Sequence, residues 1–511
     1  MAPTLPTTPL DEDDSALHRL GIRRRHERRM SGFGNARTGF SSIGVLCGSL
    51  TLYGYGLRTG GPALIVWGWV AGGVFTLLVG LALAEVCSAL PGAGSLHVYA
   101  AKLARHHPNT AAWWVGWLSS CGQIALTAAV DFGAAMFLCA FAGLEWNLTA
   151  TPGSLFTVFA AVLLVHALLV VLGGRERIAA LARVSSWWHL VAAGVLVAVL
   201  ALAPARVQPP HTVFGYFVDH TGLGTGRSGG AGVYVCAIGL LMVAFSLAGF
   251  DFSARAAEET ANAGRAAPRG IVVSIAAAWL VGFAMLTSLT FAIQDYGPES
   301  NAAVPAERII LDAIGRTGTL TLLVLILVAQ LLCGLSCMES SSRVLFAVSR
   351  DRMLPGSVLW YRVNRRTRTP VNAVWLTAAA AAVLAVPALW DTDAFAAMAA
   401  FAALSSGLAV TVPVYLRLRR RDFTRGPWHL GRWSAPVGWI AVAWTVLVSA
   451  AMLAPQVFPI TLHTFDYAPV LPVLAFAVAR IRWSITARGT LVGPLRRGYP
   501  DEPGALDAEL T

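Results

Sequence analysis

Three observations predict an all-α polytopic membrane protein with twelve transmembrane helices. The 511-residue chain is 56% hydrophobic and 13% charged, with mean hydropathy +0.63. No soluble domain needs that much apolar surface. The apolar residues gather in separate runs near the ~20 residues that cross a bilayer as a helix. Basic residues concentrate in alternate connections between those runs, as the positive-inside rule requires. The net charge of +11 therefore reads as membrane orientation, and no nucleic-acid partner is expected.

Residues 1–38 read as a cytoplasmic N-terminal tail, acidic at Asp11 to Asp14 and basic at Arg23-Arg24-Arg25 and Arg28-Arg29. A polar, Arg-rich start of this kind is not a secretory signal peptide. Its basic run either touches anionic lipid or serves only to orient the chain. The apolar region, 39–485, divides into segments at about 40–58, 62–86, 111–143, 154–173, 180–203, 231–257, 270–294, 317–341, 371–389, 394–416, 434–454 and 466–482. Two longer connections, about 204–230 and 295–316, have room for short helices. Residues 486–511 form a second cytoplasmic tail, polar and disordered from Arg497.

With both termini inside, 33 of the 38 Lys and Arg are cytoplasmic and 5 (Arg58, Arg206, Arg227, Arg308 and Arg316) are external. Losing one segment would invert everything after it, so this asymmetry checks the parity of the count. The expected location is the cytoplasmic membrane. Lysine occurs once, at Lys102, and the other basic residues are Arg. That bias, with heavy Ala and Gly use, points to a GC-rich bacterial genome. None of the seven cysteines shows metal-ligand spacing, so they read as small core residues and no metal or cofactor is expected.

Two segments are interrupted. The first contains Gly44-Val45-Leu46-Cys47-Gly48-Ser49, and the sixth contains Phe245-Ser246-Leu247-Ala248-Gly249-Phe250-Asp251. Gly, Ser and Asp at these centres disfavour a continuous apolar helix. Broken backbone survives in hydrocarbon only when buried in protein or lining a cavity. Breaks at matching positions of two five-segment halves point to a transporter with a mid-membrane binding site.

Four stretches carry a family resemblance: Thr59-Gly60-Gly61-Pro62 leading to Trp67-Gly68-Trp69; Ala84-Glu85 followed by Pro91-Gly92-Ala93-Gly94-Ser95; Gly249-Phe250-Asp251 leading to Glu258-Glu259-Thr260 and Ala267-Pro268-Arg269-Gly270; and Ser342-Arg343 running to Leu354-Pro355. Over about residues 30–485 the chain resembles the amino acid–polyamine–organocation superfamily, within it the amino acid/choline transporter branch. The resemblance implies a leucine-transporter-like fold of 5+5 inverted repeats (about 40–203 and 231–416) with two extra helices. It implies alternating-access transport of an amino acid, or alternatively of choline, ethanolamine or a polyamine, often coupled to protons.

The resemblance places the substrate's carboxylate and amino groups at the first break, around Gly44, Leu46, Cys47, Gly48 and Ser49. A helix N-terminus there favours anions and freed carbonyls favour cations. It places a capping aromatic near Phe245, beside Ser246 and Gly249. His189 falls where some proton-coupled relatives carry a lysine, and a histidine titrates near neutral pH. Asp131 sits inside the third segment with Gln123 and Thr127 on the same helical face. A carboxylate there pairs with a substrate ammonium, carries a proton, or bonds to a neighbouring helix. Asp251 reads as an N-cap of the sixth segment's inner half. It joins Glu85, Glu258, Glu339 and Arg343 as gate candidates, with Arg343 and Arg350 facing Glu258 or Glu259. His166 reads as structural. A membrane enzyme would need clustered His and carboxylates, and His166, His189, Asp131 and Glu339 are dispersed along the chain, so no enzyme is expected.

Overall fold

The computed structural model describes residues 30–91, 95–223, 230–364, 367, 369–390, 394–456 and 469–484. Among the described residues the chain is helical, without strands beyond one isolated bridge between Met30 and Thr260. Among the described residues nine helices are long and apolar enough to cross a membrane, and Gly232–Ser246 is a shorter apolar helix.

The first helix, α1 (Gly32–Ile43), begins inside the stretch assigned to the tail. Ser31 caps it by accepting from the Gly34 amide at 3.0 Å, which fixes the start ahead of the apolar run. After Gly44 the path resumes as α2 (Val45–Thr51) and α3 (Tyr53–Ala89). Backbone bonds from Leu52 to Gly48 (3.0 Å) and from Gly56 to Leu52 (3.2 Å) carry the helix through without a true stop. It turns at Gly61-Pro62, so α3 holds the end of segment one and all of segment two. A short α4 (Leu96–Leu103) leads to α5 (Pro108–Trp146), the third segment. Segments four and five form α6 (Pro152–Leu202), which turns at Gly174.

The 204–230 connection contains α7 (Pro210–Gly215), and part of it, 224–229, lies outside the described residues. Segment six is α8 (Gly230–Gly239), α9 (Leu241–Ser246), an unwound stretch, α10 (Phe252–Arg255) and a 3₁₀ turn (Ala256–Glu259). Segment seven is α11 (Ala263–Phe291). The 295–316 connection holds α12 (Tyr296–Ser300) and the first limb of α13 (Pro305–Arg350), which turns at Gly315 and continues as segment eight. After α14 (Ser357–Trp360) come α15 (Val371–Ala385), α16 (Ala394–Leu418), α17 (Ser434–Leu453) and α18 (Val470–Arg482). The expected tails and the start of segment twelve lie largely outside the described residues.

Burial explains the sequence pattern. Leu164, Val165, Leu168, Leu169 and Leu172 on α6 are exposed, a continuous apolar face suited to the membrane interior. The Trp-Gly-Trp motif serves helix packing. The Trp69 indole donates to the Trp279 carbonyl at 2.9 Å, and Trp279 returns the bond to the Trp69 carbonyl at 3.2 Å. Segments two and seven are thereby tied through two bonds of one kind. A Cβ at Gly282 would stand 2.1 Å from the Trp69 ring, so that close approach needs glycine.

Candidate binding site at the two helix breaks

The two breaks meet. Gly44 takes φ 53, ψ 47, the left-handed conformation that ends α1, and the Cys47 amide then donates to its carbonyl at 2.8 Å. The amides of Val45 and Leu46 head the new helix without intrahelical acceptors. On the other side Gly249 takes φ +93, and a Cβ there would meet the Ser42 carbonyl oxygen at 2.6 Å. Backbone strain and contact with α1 both require glycine at this position. Gly48 packs on Ser246, whose Cα would lie 2.7 Å from an added Cβ. The Ser246 and Ser49 hydroxyls turn back to the carbonyls of Met242 (2.6 Å) and Val45 (2.5 Å). Phe245 is buried and meets Phe395 of α16 edge-on, with centroids 6.4 Å apart.

A polar chain crosses below this junction. Asp251 heads α10 by position but makes no capping bond; its carboxylate binds Arg255 one turn on instead. That corrects the capping reading, and the physical reason is charge: a guanidinium is a better partner for a buried carboxylate than a neutral amide. Arg255 also donates to the Ser340 hydroxyl of α13 at 2.9 Å, and Ser340 donates to Gln123 Oε1 of α5 at 3.0 Å. Gln123 thus belongs to the site by way of two residues, Arg255 and Ser340, that the sequence reading missed. These residues, with Ser42, Gly249, Ser336 and Cys337, line a cavity of about 10 Å³, room for roughly one water. A second cavity of about 70 Å³ opens on the other flank of the break, against Gly249, Asp251, Thr76, Ser406 and Trp444.

Asp131 stands apart from both cavities. It is fully buried, and its Oδ1 lies 3.0 Å from His166 Nδ1 on α6, while Oδ2 has no hydrogen-bond partner among the described residues. The pair presses on Gly334, where a Cβ would fall 2.0 Å from Oδ1. His166 is therefore part of a buried acid–base pair, and the two residues are not dispersed as their spacing suggested. Thr127 spends its hydroxyl on the Gln123 carbonyl at 2.9 Å, so the three-residue face expected from spacing acts as two separate groups.

His189 faces the first break. Its Nδ1 lies 2.8 Å from the Ser185 carbonyl, so that nitrogen carries the hydrogen, and Nε2 points at Cys47 Sγ, 3.7 Å away. Cys333 of α13 joins them: one ligand atom from each of Cys47, His189 and Cys333 lies within 4.8 Å of the others. Chain spacing had given these cysteines no metal-binding character, because the three residues come from three helices.

At the end where α1 begins, the gate candidates fall into two groups. Arg343 contacts Glu339 at 2.5 Å and Glu259 at 3.4 Å, joining α13 to the end of segment six. Arg350 instead lies beside Asp351 at 3.6 Å. Glu258 lies in the same 3₁₀ turn as Glu259. Asn35 donates to the Ser253 carbonyl and to Thr260 Oγ1, both at 3.0 Å, and Met30 pairs by backbone with Glu259 and Ala261. The half-helices on this side of the breaks are thus strapped together. Glu85 is separate, buried against Arg417 (3.0 Å) and Ser434 (2.6 Å).

Spanning apolar helices around two adjoining mid-helix breaks make this a multi-pass membrane transporter. The comparisons agree. The amino acid permease family model matches residues 34–476. The amino-acid permease BAT1 of Arabidopsis thaliana is 34% identical, over 95% of this chain and 97% of the relative. The GABA-specific permease of Saccharomyces cerevisiae is 28% identical, over 94% and 86%. Among solved structures, a manganese transporter from Eremococcus coleocola matches in fold, with TM-score 0.56, 14% identity, and 88% and 92% of the two chains covered. The chain belongs to the amino acid permease family, a class of transporters and not of enzymes.

Proposed function

We propose that the protein carries an amino acid across the cytoplasmic membrane by alternating access, through twelve helices in a leucine-transporter-like 5+5 inverted repeat, with both termini cytoplasmic. The observation that carries this reading is the direct packing of the first break on the second, Gly48 on Ser246 and Gly249 on Ser42. The reciprocal Trp69–Trp279 bonds support the repeat, since they relate segments two and seven by one rule. The substrate carboxylate binds the free amides of Val45 and Leu46, with Leu46, Cys47, Gly48 and Ser49 as the wall. Phe245 covers it. The helices must part to admit it, because the polar cavity holds about one water in the form described. The names of the relatives favour α-amino acids and γ-aminobutyrate over choline or polyamines.

We place the coupling proton on the Asp131–His166 pair, which is buried, adjoins segment eight and keeps an unused carboxylate oxygen. Arg343, Glu259 and Glu339 close the inner side, with Asn35 as the strap. Equilibrium binding to purified protein tests the reading. An α-amino acid or γ-aminobutyrate should bind, and Gly48→Val, which fills the junction, should weaken binding. Binding of choline or a polyamine alone would reject the amino acid assignment.

A further inference from the structure

We propose that Cys47, His189 and Cys333 form a binding site for a zinc-class divalent cation, and that the bound ion pins the first break to α6 and α13. The three ligand atoms lie within 4.8 Å of one another, and all three residues are fully or almost fully buried. Zinc bound to sulfur at ~2.3 Å and to nitrogen at ~2.0 Å, with tetrahedral angles, sets its ligands roughly 3.5–3.8 Å apart. The Cys47–His189 separation of 3.7 Å already fits that spacing. The third ligand, Cys333, lies within 4.8 Å of the other two and needs to close by roughly 1.3 Å at most.

The imidazole is prepared for a metal. Its Nδ1–H is held by the Ser185 carbonyl at 2.8 Å, and the Ser185 hydroxyl accepts from Ser41 at 2.8 Å. A second partner of this kind fixes the ring and leaves Nε2 as the ligand atom. Charge selects the ion class. A divalent cation displaces one proton from each thiol, and both protons leave to solvent. The resulting complex of M²⁺, two thiolates and a neutral imidazole has no net charge, which is what a buried membrane site tolerates. A monovalent soft ion would leave a net negative charge there. Three protein ligands leave the fourth position for water. The small cavity at the junction is lined by Cys337, one turn beyond Cys333.

Cobalt(II) titration of purified wild-type protein tests the site. One equivalent should produce intense thiolate-to-cobalt absorption, and zinc should abolish it. Cys333→Ser should lose at least about tenfold in cobalt affinity, while Cys87→Ser should titrate like wild type. A wild-type protein without that absorption overturns the proposal whether or not the variant folds; so does Cys333→Ser titrating like wild type. The pinning rests on the alternating-access reading and is tested separately in proteoliposomes. Micromolar zinc should slow wild-type uptake reversibly and spare Cys333→Ser. Equal zinc sensitivity in the two would overturn the pinning. The cobalt result needs no transport, so failure of the transport reading leaves it standing.

Discussion

Asp131 and His166 form a pair whose energetics change sign with its partner. Both side chains are buried and share one hydrogen bond of 3.0 Å. Asp131→Asn keeps the shape and a neutral hydrogen bond, and so should cost about 1–2 kcal/mol, the gap between charge-assisted and neutral bonds. His166→Leu removes the one hydrogen-bond partner that the buried carboxyl group has among the described residues and should cost about 3–5 kcal/mol. In the His166→Leu background, Asp131→Asn removes the uncompensated group and should restore stability. The assay is unfolding of the four proteins in mixed detergent micelles, analysed as a double-mutant cycle. A coupling of about 0.5–3 kcal/mol is expected. If Asp131→Asn destabilises both backgrounds equally, the pair is not energetically linked. The same variants report on coupling: Asp131→Asn should flatten the pH dependence of uptake, and an unchanged pH profile would remove the proton from this pair.

Three further outcomes follow from single features. Gly249→Ala forces a side chain into a φ of +93 and against the Ser42 carbonyl; strain alone should cost about 1–3 kcal/mol, read as a lower unfolding midpoint, whereas Gly215→Ala, with open space around it, should stay near wild type. Glu299 is buried and its carboxyl is pushed up to about 7 from an ordinary 4.5, first by burial and then by Asp312. The folded state therefore holds this proton more tightly, so its contribution to stability is full below about 4.5 and lost as pH rises through about 7; Glu299→Gln should weaken the fall in thermal midpoint between those values, and an identical fall would exclude Glu299 as its source. A reporter fused after Leu202 should be active outside the cell, and cytoplasmic activity would invert the orientation.

What was legible in the sequence is what the bilayer enforces. Apolar length and alternating basic loops marked the spans, and Gly44 and Gly249 marked the breaks, because unpaired backbone in hydrocarbon demands special residues. The early start of α1 was signalled by Ser31, three residues before the amide it caps, but lies in a polar stretch without apolar period. Asp251 and Arg255 are four apart, a spacing that announces a helical ion pair, yet the carboxylate at a helix start drew the capping reading instead. The contacts that span helices had no local signal. Asp131 meets His166 across two helices, Arg255 reaches Gln123 through Ser340, and Cys47, His189 and Cys333 converge from three. A buried charge such as Asp131 signals that a partner is needed, but only the packing of the helices shows which residue supplies it.

The central claim is tested most directly by uptake of labelled α-amino acids and γ-aminobutyrate into proteoliposomes holding the purified protein, with an imposed pH gradient and without sodium. Accumulation of at least one of them above protein-free liposomes, driven by the gradient and abolished by its collapse, is the predicted result. Uptake that requires sodium would contradict the proton coupling, and no uptake of any amino acid by folded, inserted protein would contradict the account itself.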